Sequence, residues 1–183
     1  MSGRCVLASP LGGLLLRVEG GAVCGLSFAS APGLPAGSPA DARLDAPFEA
    51  PFEAPFEAPF EAPFEAPDGA LEREVARQLA EYFAGRRTRF DLPLRPRGSE
   101  FAQAVWRQLG QLRHGERIAY AGLAERLGLA RGHSRAVARA VAANPLLVLL
   151  PCHRVVGSDG ALHGYAGGIE RKRWLLRLED RPQ

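Results

Sequence analysis

Residues 120–143, YAGLAERLGLARGHSRAVARAVAA, decide the predicted fold of the second half of this 183-residue chain. Leu123 and Leu127 lie four residues apart and predict one short helix, which Gly128 would end. After a short turn, the apolar residues of 134–143 recur at helical spacing and predict a second helix. Two short helices joined by a turn with glycine are typical of a helix-turn-helix, whose second helix usually enters a groove of DNA. The alternative is a pair of packed core helices.

The second of these helices carries two arginines away from its apolar side. Arg135 and Arg139 share one face, whereas Val137 and Val141 share another. Alanine dominates the rest of the helix, so its outer face is flat and narrow enough to approach the wall of a groove. Without a further signal, Arg135 would be a solvated surface cation.

Another helix is predicted directly upstream. Ser99 is a suitable N-cap, and Glu100 places an acid in the first turn, where it complements the helix dipole. The spacing predicts a buried face formed by Phe101, Val105, Leu109 and Leu112. Residues 91–98, which are rich in Arg and Pro, are predicted to be a linker.

The beginning of the chain has the pattern of a small sheet. Short apolar stretches are separated by Gly12-Gly13 and Gly20-Gly21, and they predict antiparallel strands joined by tight turns. The stretches are Cys5–Leu7, Leu14–Val18 and Ala22–Phe28. A helix that covers this sheet is predicted from the spacing of Leu71, Val75, Leu79 and Phe83, with Gly85 as its stop.

The fold class that follows is α+β. We predict a small N-terminal antiparallel-sheet domain with a covering helix at 1–90, the linker at 91–98, and a mostly helical domain with the helix-turn-helix at 99–183. Residues 47–66 are tandem Pro-Phe-Glu-Ala repeats, and a proline at every fourth position excludes a helix interior and a central strand. We therefore expect a disordered loop at about 31–67. A docking tract that uses the phenylalanines of the repeats is the alternative.

Charge and cysteine content limit the possible classes of protein. Residues 1–97 carry 10 arginines against 13 acids, whereas residues 98–183 carry 13 Lys and Arg against 7 acids. A basic second half is expected of a nucleic-acid-binding domain, although an ordinary basic surface would look the same. Three cysteines without a CxxC pair indicate reduced thiols. The sequence has neither a secretory leader nor a membrane-spanning stretch, so we expect a cytoplasmic protein.

The residues that point to chemistry lie in the apolar segment Leu149–Val156, which has the pattern of a buried strand around Cys152 and His153. Nearby cationic or hydrogen-bonding groups favour the thiolate, and the thiolate is the nucleophile. Neighbouring side chains of a strand point to opposite faces, so a turn or an intervening water is needed to bring the two groups together. Asn144 precedes Pro145, and its side chain can hold such a turn through backbone hydrogen bonds.

These residues resemble the O6-alkylguanine-DNA alkyltransferases over residues 99–180. The matching motifs are Asn144-Pro145, Pro151-Cys152-His153-Arg154-Val155, Gly164-Tyr165-Ala166-Gly167-Gly168, Arg171-Lys172-Arg173-Trp174-Leu175-Leu176 and Glu179. The resemblance implies that Cys152 attacks the alkyl carbon, that His153 withdraws the thiol proton through a water, and that Glu179 orients the imidazole. It also implies that Tyr120 donates to the departing guanine. An alkylated sulfur is a stable thioether, so each molecule would act once.

The same resemblance implies a partner, double-stranded DNA that carries O6-alkylguanine. The damaged base would be rotated out of the duplex, and Arg135 would fill the gap, with the small Ala136 beside it. The helix would lie in the minor groove with little sequence preference, and Ser134 and Arg139 are the further predicted DNA contacts. The predicted wall of the base pocket consists of Pro151, Val155, Tyr165, Ala166 and Gly167. Some relatives have serine where Ala166 stands, so a backbone amide would replace that contact.

We predict that the protein binds neither a metal nor a cofactor. We also predict that it is a monomer. Some relatives bind a structural zinc in the N-terminal domain through two cysteines and two histidines. Cys5 and Cys24 could supply half of such a shell, but all four histidines lie in the second half of the chain. The competing functions are a lesion-binding relative without transfer, a helix-turn-helix regulator and a cysteine hydrolase.

Overall fold

The computed structural model describes residues 2–29 and 69–181. The predicted loop at about 31–67, including the repeats at 47–66, lies outside the described residues. Among those residues, no helix combines the length and the apolar character that a membrane crossing requires.

The N-terminal sheet is antiparallel, as predicted. Its strands are β1 (Ser2–Leu7), β2 (Leu14–Glu19) and β3 (Ala22–Phe28), in the order β1-β2-β3. Burial alternates along β2 because successive side chains of a strand point to opposite faces. Gly20 and Gly21 form the tight β2–β3 turn with φ values of 55° and 73°, which glycine adopts without a steric penalty.

Helix α1 (Ala70–Phe83) packs on this sheet through Val75 and Leu79, as predicted. The expected Leu71 and Phe83 are only partly buried. Tyr82 and Gln78 are buried on the helix instead. Gln78 forms two hydrogen bonds with the backbone of Asp91: its Nε2 donates to the Asp91 carbonyl at 2.9 Å, and its Oε1 accepts from the Asp91 amide at 2.8 Å. These polar contacts explain how an amide side chain can be buried on an otherwise apolar face.

The segment 91–98 runs beside β3. The amide of Val23 donates to the carbonyl of Pro93 at 2.8 Å, and the amide of Arg95 donates to the carbonyl of Val23 at 2.8 Å. The opposite part of β3 pairs with the turn before the cysteine, because the Leu26 amide donates to Pro145 and the Leu147 amide donates to Leu26. The N-terminal sheet therefore supports the segment that leads to Cys152.

Helix α2 (Glu100–Leu109) begins at Ser99, whose side chain accepts a hydrogen bond from the amide of Ala102 at 3.2 Å. The predicted N-cap is therefore confirmed. The predicted position of Phe101 is wrong, since this side chain is exposed. The buried face follows the spacing of Ala102, Val105, Trp106 and Leu109. Trp106 determines this rotation because its indole nitrogen donates to the carbonyl of Ala140 at 2.8 Å.

The helix-turn-helix has the predicted order. A two-residue strand, β4 (Ile118–Ala119), leads into α3 (Tyr120–Arg126), and a 3₁₀ turn at Arg131–His133 precedes α4 (Ser134–Ala142). After the cysteine, β5 (Val155–Val156) pairs with β4 in parallel, with Ile118 opposite Val155. The last element is α5 (Ile169–Glu179). Strand β4 thereby places the start of α3 beside the cysteine segment.

Candidate active site

Cys152 lies in a turn rather than in the predicted strand. Residues Cys152–Arg154 form one turn of 3₁₀ helix, and extended backbone begins only at Val155. The strand predicted over Leu149–Val156 is therefore wrong for most of its length. The departure from strand geometry that the Cys-His pair requires is present, and it begins directly after Pro151. Cys152 is buried, with 3% of its surface exposed.

Asn144 holds the chain that leads to Cys152. Its side-chain nitrogen donates to the carbonyl of Leu150 at 2.8 Å and to the sulfur of Cys152 at 3.1 Å, while its oxygen accepts from the amide of Leu146 at 3.0 Å. Within this turn Val148 has a φ of 70°, a conformation that is strained for a β-branched residue. Asn144 thus ties the turn, as the sequence suggests, and also touches the sulfur.

The surroundings of Cys152 act on its protonation in opposite directions. Burial raises the pKa of the Cys152 thiol to about 11, and it outweighs the hydrogen bond from Asn144 and the charge of Lys172, which favour the thiolate. A hydrogen-bonding group and a cationic group that favour the thiolate are therefore present, although the cation is Lys172, which was not predicted for this role from the sequence. Desolvation dominates in the closed site. The thiol is neutral at pH 7 in this arrangement, so attack requires a base to remove its proton.

His153 is the adjacent base, and its surroundings define which nitrogen is available. Its Nε2 lies 2.9 Å from Oε1 of Glu179. Burial alone would raise the pKa of Glu179, but hydrogen bonds from His153 and Arg154 lower it well below its ordinary value. The carboxylate can only accept, so Nε2 must carry the proton. Burial also lowers the pKa of His153, against the opposing effect of Glu179. The neutral imidazole therefore has its lone pair on Nδ1.

The Nδ1 atom of His153 is buried and has no hydrogen-bond partner within residues 2–29 and 69–181. An unsatisfied buried acceptor is uncommon and often marks a functional group. The imidazole ring meets the ring of Tyr165 edge to face, with centroids 6.5 Å apart. The site thus combines a buried thiol with a neighbouring imidazole whose basic nitrogen is uncommitted.

Glu179 is held by more groups than the sequence suggests. Arg154 donates to both carboxylate oxygens at 2.8 Å and also to the carbonyl of Leu112 at 2.7 Å. Tyr82 donates to Oε1 at 2.6 Å, and the amide of Gly115 donates to Oε2 at 3.2 Å. A buried carboxylate needs such a shell, because the loss of water must be offset by hydrogen bonds and charge.

Lys172 is a third charged residue in the interior, after Glu179 and Arg154. Its ammonium donates to the carbonyls of Val155 at 2.7 Å and His163 at 3.0 Å. Burial lowers the pKa of Lys172 to about 8, with Cys152 opposing the shift. The sequence offered one signal for this residue: it lies on the apolar face of α5, in helical register with Leu175, Leu176 and Glu179.

Tyr120 is half-buried at the start of α3. Its pKa is raised first by burial and then by the nearby Cys152. The structure therefore brings Tyr120 close enough to the thiol for electrostatic interaction. The phenol remains protonated near neutral pH and can donate a hydrogen bond.

The predicted pocket residues fall into two groups. Pro151 and Val155 flank the 3₁₀ turn and are buried. Tyr165, Ala166 and Gly167 precede α5; Ala166 is exposed, and the hydroxyl of Tyr165 is buried without a hydrogen-bond partner within the described part of the chain.

Gly167 is closely packed against two aromatic rings. A Cβ at this position would lie 2.6 Å from the Tyr165 ring and 2.7 Å from the Phe28 ring. The guanidinium of Arg171 lies 4.5 Å from the centre of the Phe28 ring and donates to the carbonyls of Leu11 and Gly167, both at 2.8 Å. The N-terminal sheet thus supports the pocket segment as well as the turn at 144–152.

The predicted DNA-contacting residues all lie on α4, with Ser134, Arg135 and Ala136 in its first turn and Arg139 in its last. Arg135 and Arg139 are exposed, whereas Ser134 and Ala136 are partly buried. Val137 and Val141 are buried on the other side, so the helix presents its arginines to solvent as predicted.

No group of three or more His, Cys, Asp or Glu that could hold a metal occurs in the described portion of the chain. Cys24 is buried on β3, and its thiol donates to the carbonyl of Arg17 at 3.4 Å. Cys5 is partly buried on β1.

Known proteins share both the sequence and the fold. The family profile of the 6-O-methylguanine DNA methyltransferase DNA-binding domain matches residues 100–181. A methylated-DNA–protein-cysteine methyltransferase of Mycolicibacterium paratuberculosis is 50% identical over 103 residues, which are 56% of this chain and 62% of that protein. The protein of the same name from Shigella flexneri is 46% identical over 102 residues, covering 55% of this chain and 59% of the relative. These sequence matches span about three fifths of the relatives.

The structural matches extend over all or nearly all of the chain. The crystal structure of Mycobacterium tuberculosis O6-methylguanine methyltransferase is 33% identical, has a TM-score of 0.73, and is matched over 100% of this chain and 96% of its own. A crystal structure of M. tuberculosis OGT in complex with DNA is 34% identical with a TM-score of 0.72, over 95% of this chain and 90% of its own. The chain belongs to the O6-methylguanine DNA methyltransferase family.

Proposed function

We propose that this protein repairs DNA by direct reversal, through irreversible transfer of a methyl or other alkyl group from O6-alkylguanine to Cys152. The observation that supports this most directly is the combination of a buried thiol with an adjacent imidazole, His153, whose Nδ1 is uncommitted and whose Nε2 is held by Glu179. This is the arrangement of an activated cysteine nucleophile. Membership of the family supports the same reaction.

In net terms, the proposed reaction moves one alkyl group from guanine to the sulfur and one proton from the thiol to the guanine. The thiol proton passes to Nδ1 of His153, through a water as the family resemblance implies, and Glu179 stabilises the imidazolium that forms. The sulfur attacks the alkyl carbon, the new S–C bond forms as the C–O6 bond breaks, and the bonding electrons remain on the guanine. Tyr120 donates a proton to the departing base. The imidazolium of His153 then releases its proton to solvent and the Tyr120 phenolate takes one up, so both side chains return to their original protonation states. The net change is an alkylated sulfur and a restored guanine.

The protonated thiol would be a poor nucleophile until the substrate is bound. Desolvation keeps Cys152 neutral, whereas Asn144 already donates to the sulfur and would stabilise negative charge as it develops. A hydrogen bond that strengthens as charge develops lowers the barrier more than one that is equally strong at the outset. A thioether is not cleaved by water, so the protein would be consumed in a single turnover.

We further propose that the partner is double-stranded DNA bound through α4 in the minor groove. Cys152 is too buried to reach a base stacked in a duplex, so the nucleotide must rotate out, at a cost of roughly a few kcal/mol. Arg135 is exposed at the start of α4 and can occupy the space left in the duplex. The short side chain of Ala136 permits close approach. We retain the predictions of a monomer that works in the cytoplasm.

The experiment mixes the protein with a duplex that carries one O6-methylguanine and measures the intact protein mass. We expect one methyl adduct on the wild type and none on Cys152→Ala. Cys24→Ala is the matched control, because it removes another buried thiol and should still accept the methyl group. Binding without an adduct would favour a lesion-binding protein. Repeated turnover without an adduct would favour a hydrolase.

A further inference from the structure

The strongest feature that the proposed reaction does not use is a hydroxyl from the N-terminal half. Tyr82 on α1 is 1% exposed, and its hydroxyl donates to Oε1 of Glu179 at 2.6 Å. That length is within the range of a charge-assisted O–H···O⁻ bond. The two residues are 97 positions apart in sequence, so the fold alone brings them together.

We propose that Tyr82 is a positioning residue of the Glu179–His153 pair, and that it sets how strongly the carboxylate supports the imidazole. The proposal deepens the proposed function and rests on it. Tyr82 donates to the same oxygen, Oε1, that accepts from Nε2 of His153 and from Arg154. The three donors share one acceptor, so each of them disperses charge that the others would otherwise receive.

The consequence for His153 has a definite direction. Removal of the Tyr82 hydroxyl would leave Oε1 with fewer donors and more charge directed at the imidazole. The imidazolium would then be stabilised, and the pKa of His153 would rise. Burial raises the pKa of Tyr82 well above its ordinary value, followed by the effect of Glu179, so the phenol remains a donor over the working pH range.

Other ionisable groups face this pair from every neighbouring element. Around Glu179 they are Tyr82 on α1, His114 in the loop before β4, and His153 and Arg154 in the 3₁₀ turn. Around His153 they also include Cys152, Lys172 on α5, and Tyr165 in the pocket segment. Apart from the Tyr82 hydroxyl itself, none of these groups is removed by Tyr82→Phe, so the shift would report the missing hydroxyl.

The test compares Tyr82→Phe with the wild type in two measurements. The first follows the imidazole nitrogens of His153 by NMR from about pH 4 to about pH 9 in the absence of DNA. The second measures the single-turnover methyl-transfer rate over the same range. We expect the His153 titration and the acid limb of the rate profile to move to higher pH together. A shift of one pKa unit would reduce the rate about tenfold on that limb and little above it.

Phe90→Leu is the matched control for packing. The Phe90 ring lies 5.2 Å from the Tyr82 ring but donates nothing to Glu179, so this variant should lose stability without moving the His153 titration. An unchanged titration in Tyr82→Phe, or an equal shift in Phe90→Leu, would overturn the proposal. A wild-type protein that transfers no methyl group would overturn the proposed function instead, since the NMR titration is measured without a substrate.

Discussion

Glu179→Gln is the substitution whose effect on stability the structure predicts most sharply. The Arg154 guanidinium donates to both oxygens of this carboxylate and is itself buried. Glutamine keeps the shape but offers one acceptor oxygen, and its NH₂ group faces donors. Removing one partner of a buried ion pair leaves the other charge uncompensated and costs about 3–5 kcal/mol. Because the whole fold is stable by roughly 5–15 kcal/mol, the variant should lose a large fraction of its free energy of unfolding.

The assay is urea unfolding followed by circular dichroism, at neutral pH and at several lower values. Glu179 has a folded-state pKa well below its ordinary value of 4.5, so its contribution is present above about pH 4.5 and is lost as the pH falls towards the folded pKa. The difference in free energy of unfolding between the wild type and Glu179→Gln should therefore be constant above about pH 4.5 and become smaller below it.

Asp180→Asn is the matched control one residue away. Asp180 pairs with Arg117 at 2.5 Å, but both side chains are about half exposed, at 53% and 46%. An exposed pair contributes at most about 1 kcal/mol. The account of a buried carboxylate that organises the site would be refuted if Glu179→Gln cost no more than Asp180→Asn, or if its cost did not depend on pH.

Three further predictions concern the pocket, the base and the DNA-facing helix. Gly167→Ala should push aside two aromatic rings, which should destabilise the protein by about 1–3 kcal/mol and slow methyl transfer. Gly164→Ala is the control and should change neither stability nor rate, because nothing lies within 4 Å of a Cβ at that position. Thermal unfolding measures the stability, and single-turnover kinetics measure the rate. The wild-type transfer rate should be level above pH 6.5 and should fall only below it. The reason is that burial lowers the pKa of His153 from its ordinary value of 6.5, and the neutral imidazole is the base. A transfer rate that reaches half its maximum only above pH 6.5 would contradict this prediction. Arg135→Ala should slow transfer at least about tenfold in single-turnover assays, because the side chain that fills the space of the extruded base is lost. Arg135→Lys should retain most of the affinity for undamaged duplex in binding titrations, because its positive charge still attracts phosphate.

The sequence predicted a turn or a helix end correctly where residues within a few positions of it determine its conformation. The sheet turns at Gly20-Gly21 and the N-cap at Ser99 follow from backbone preferences that act over a few residues. Phe101 was predicted incorrectly because two apolar faces of α2 compete, and Trp106 decides between them through a hydrogen bond to Ala140. A contact of this kind, 34 positions away in the chain, leaves no local signal.

In the candidate site too, residues close together in sequence could be related to one another, whereas contacts between distant residues could not. Cys152, His153 and Asn144 lie in one short segment, so their side chains could be related to a turn from the sequence, although the 3₁₀ geometry itself was not predicted. Tyr82 and Arg154 were missed as partners of Glu179. The Tyr82 contact depends on how the two halves pack, and the Arg154 contact joins residues 25 positions apart within the C-terminal half. Lys172 could have been noticed as a charge on an apolar helix face.

The most direct test of the central claim is to locate the transferred group. A duplex with a ¹³C-labelled methyl on guanine O6 is incubated with an equal amount of protein, which is then digested and mapped by mass spectrometry. We predict one labelled methyl group per molecule, on the peptide that contains Cys152. Label on Cys5 or Cys24, or labelled methanol with an unmodified Cys152, would contradict the account.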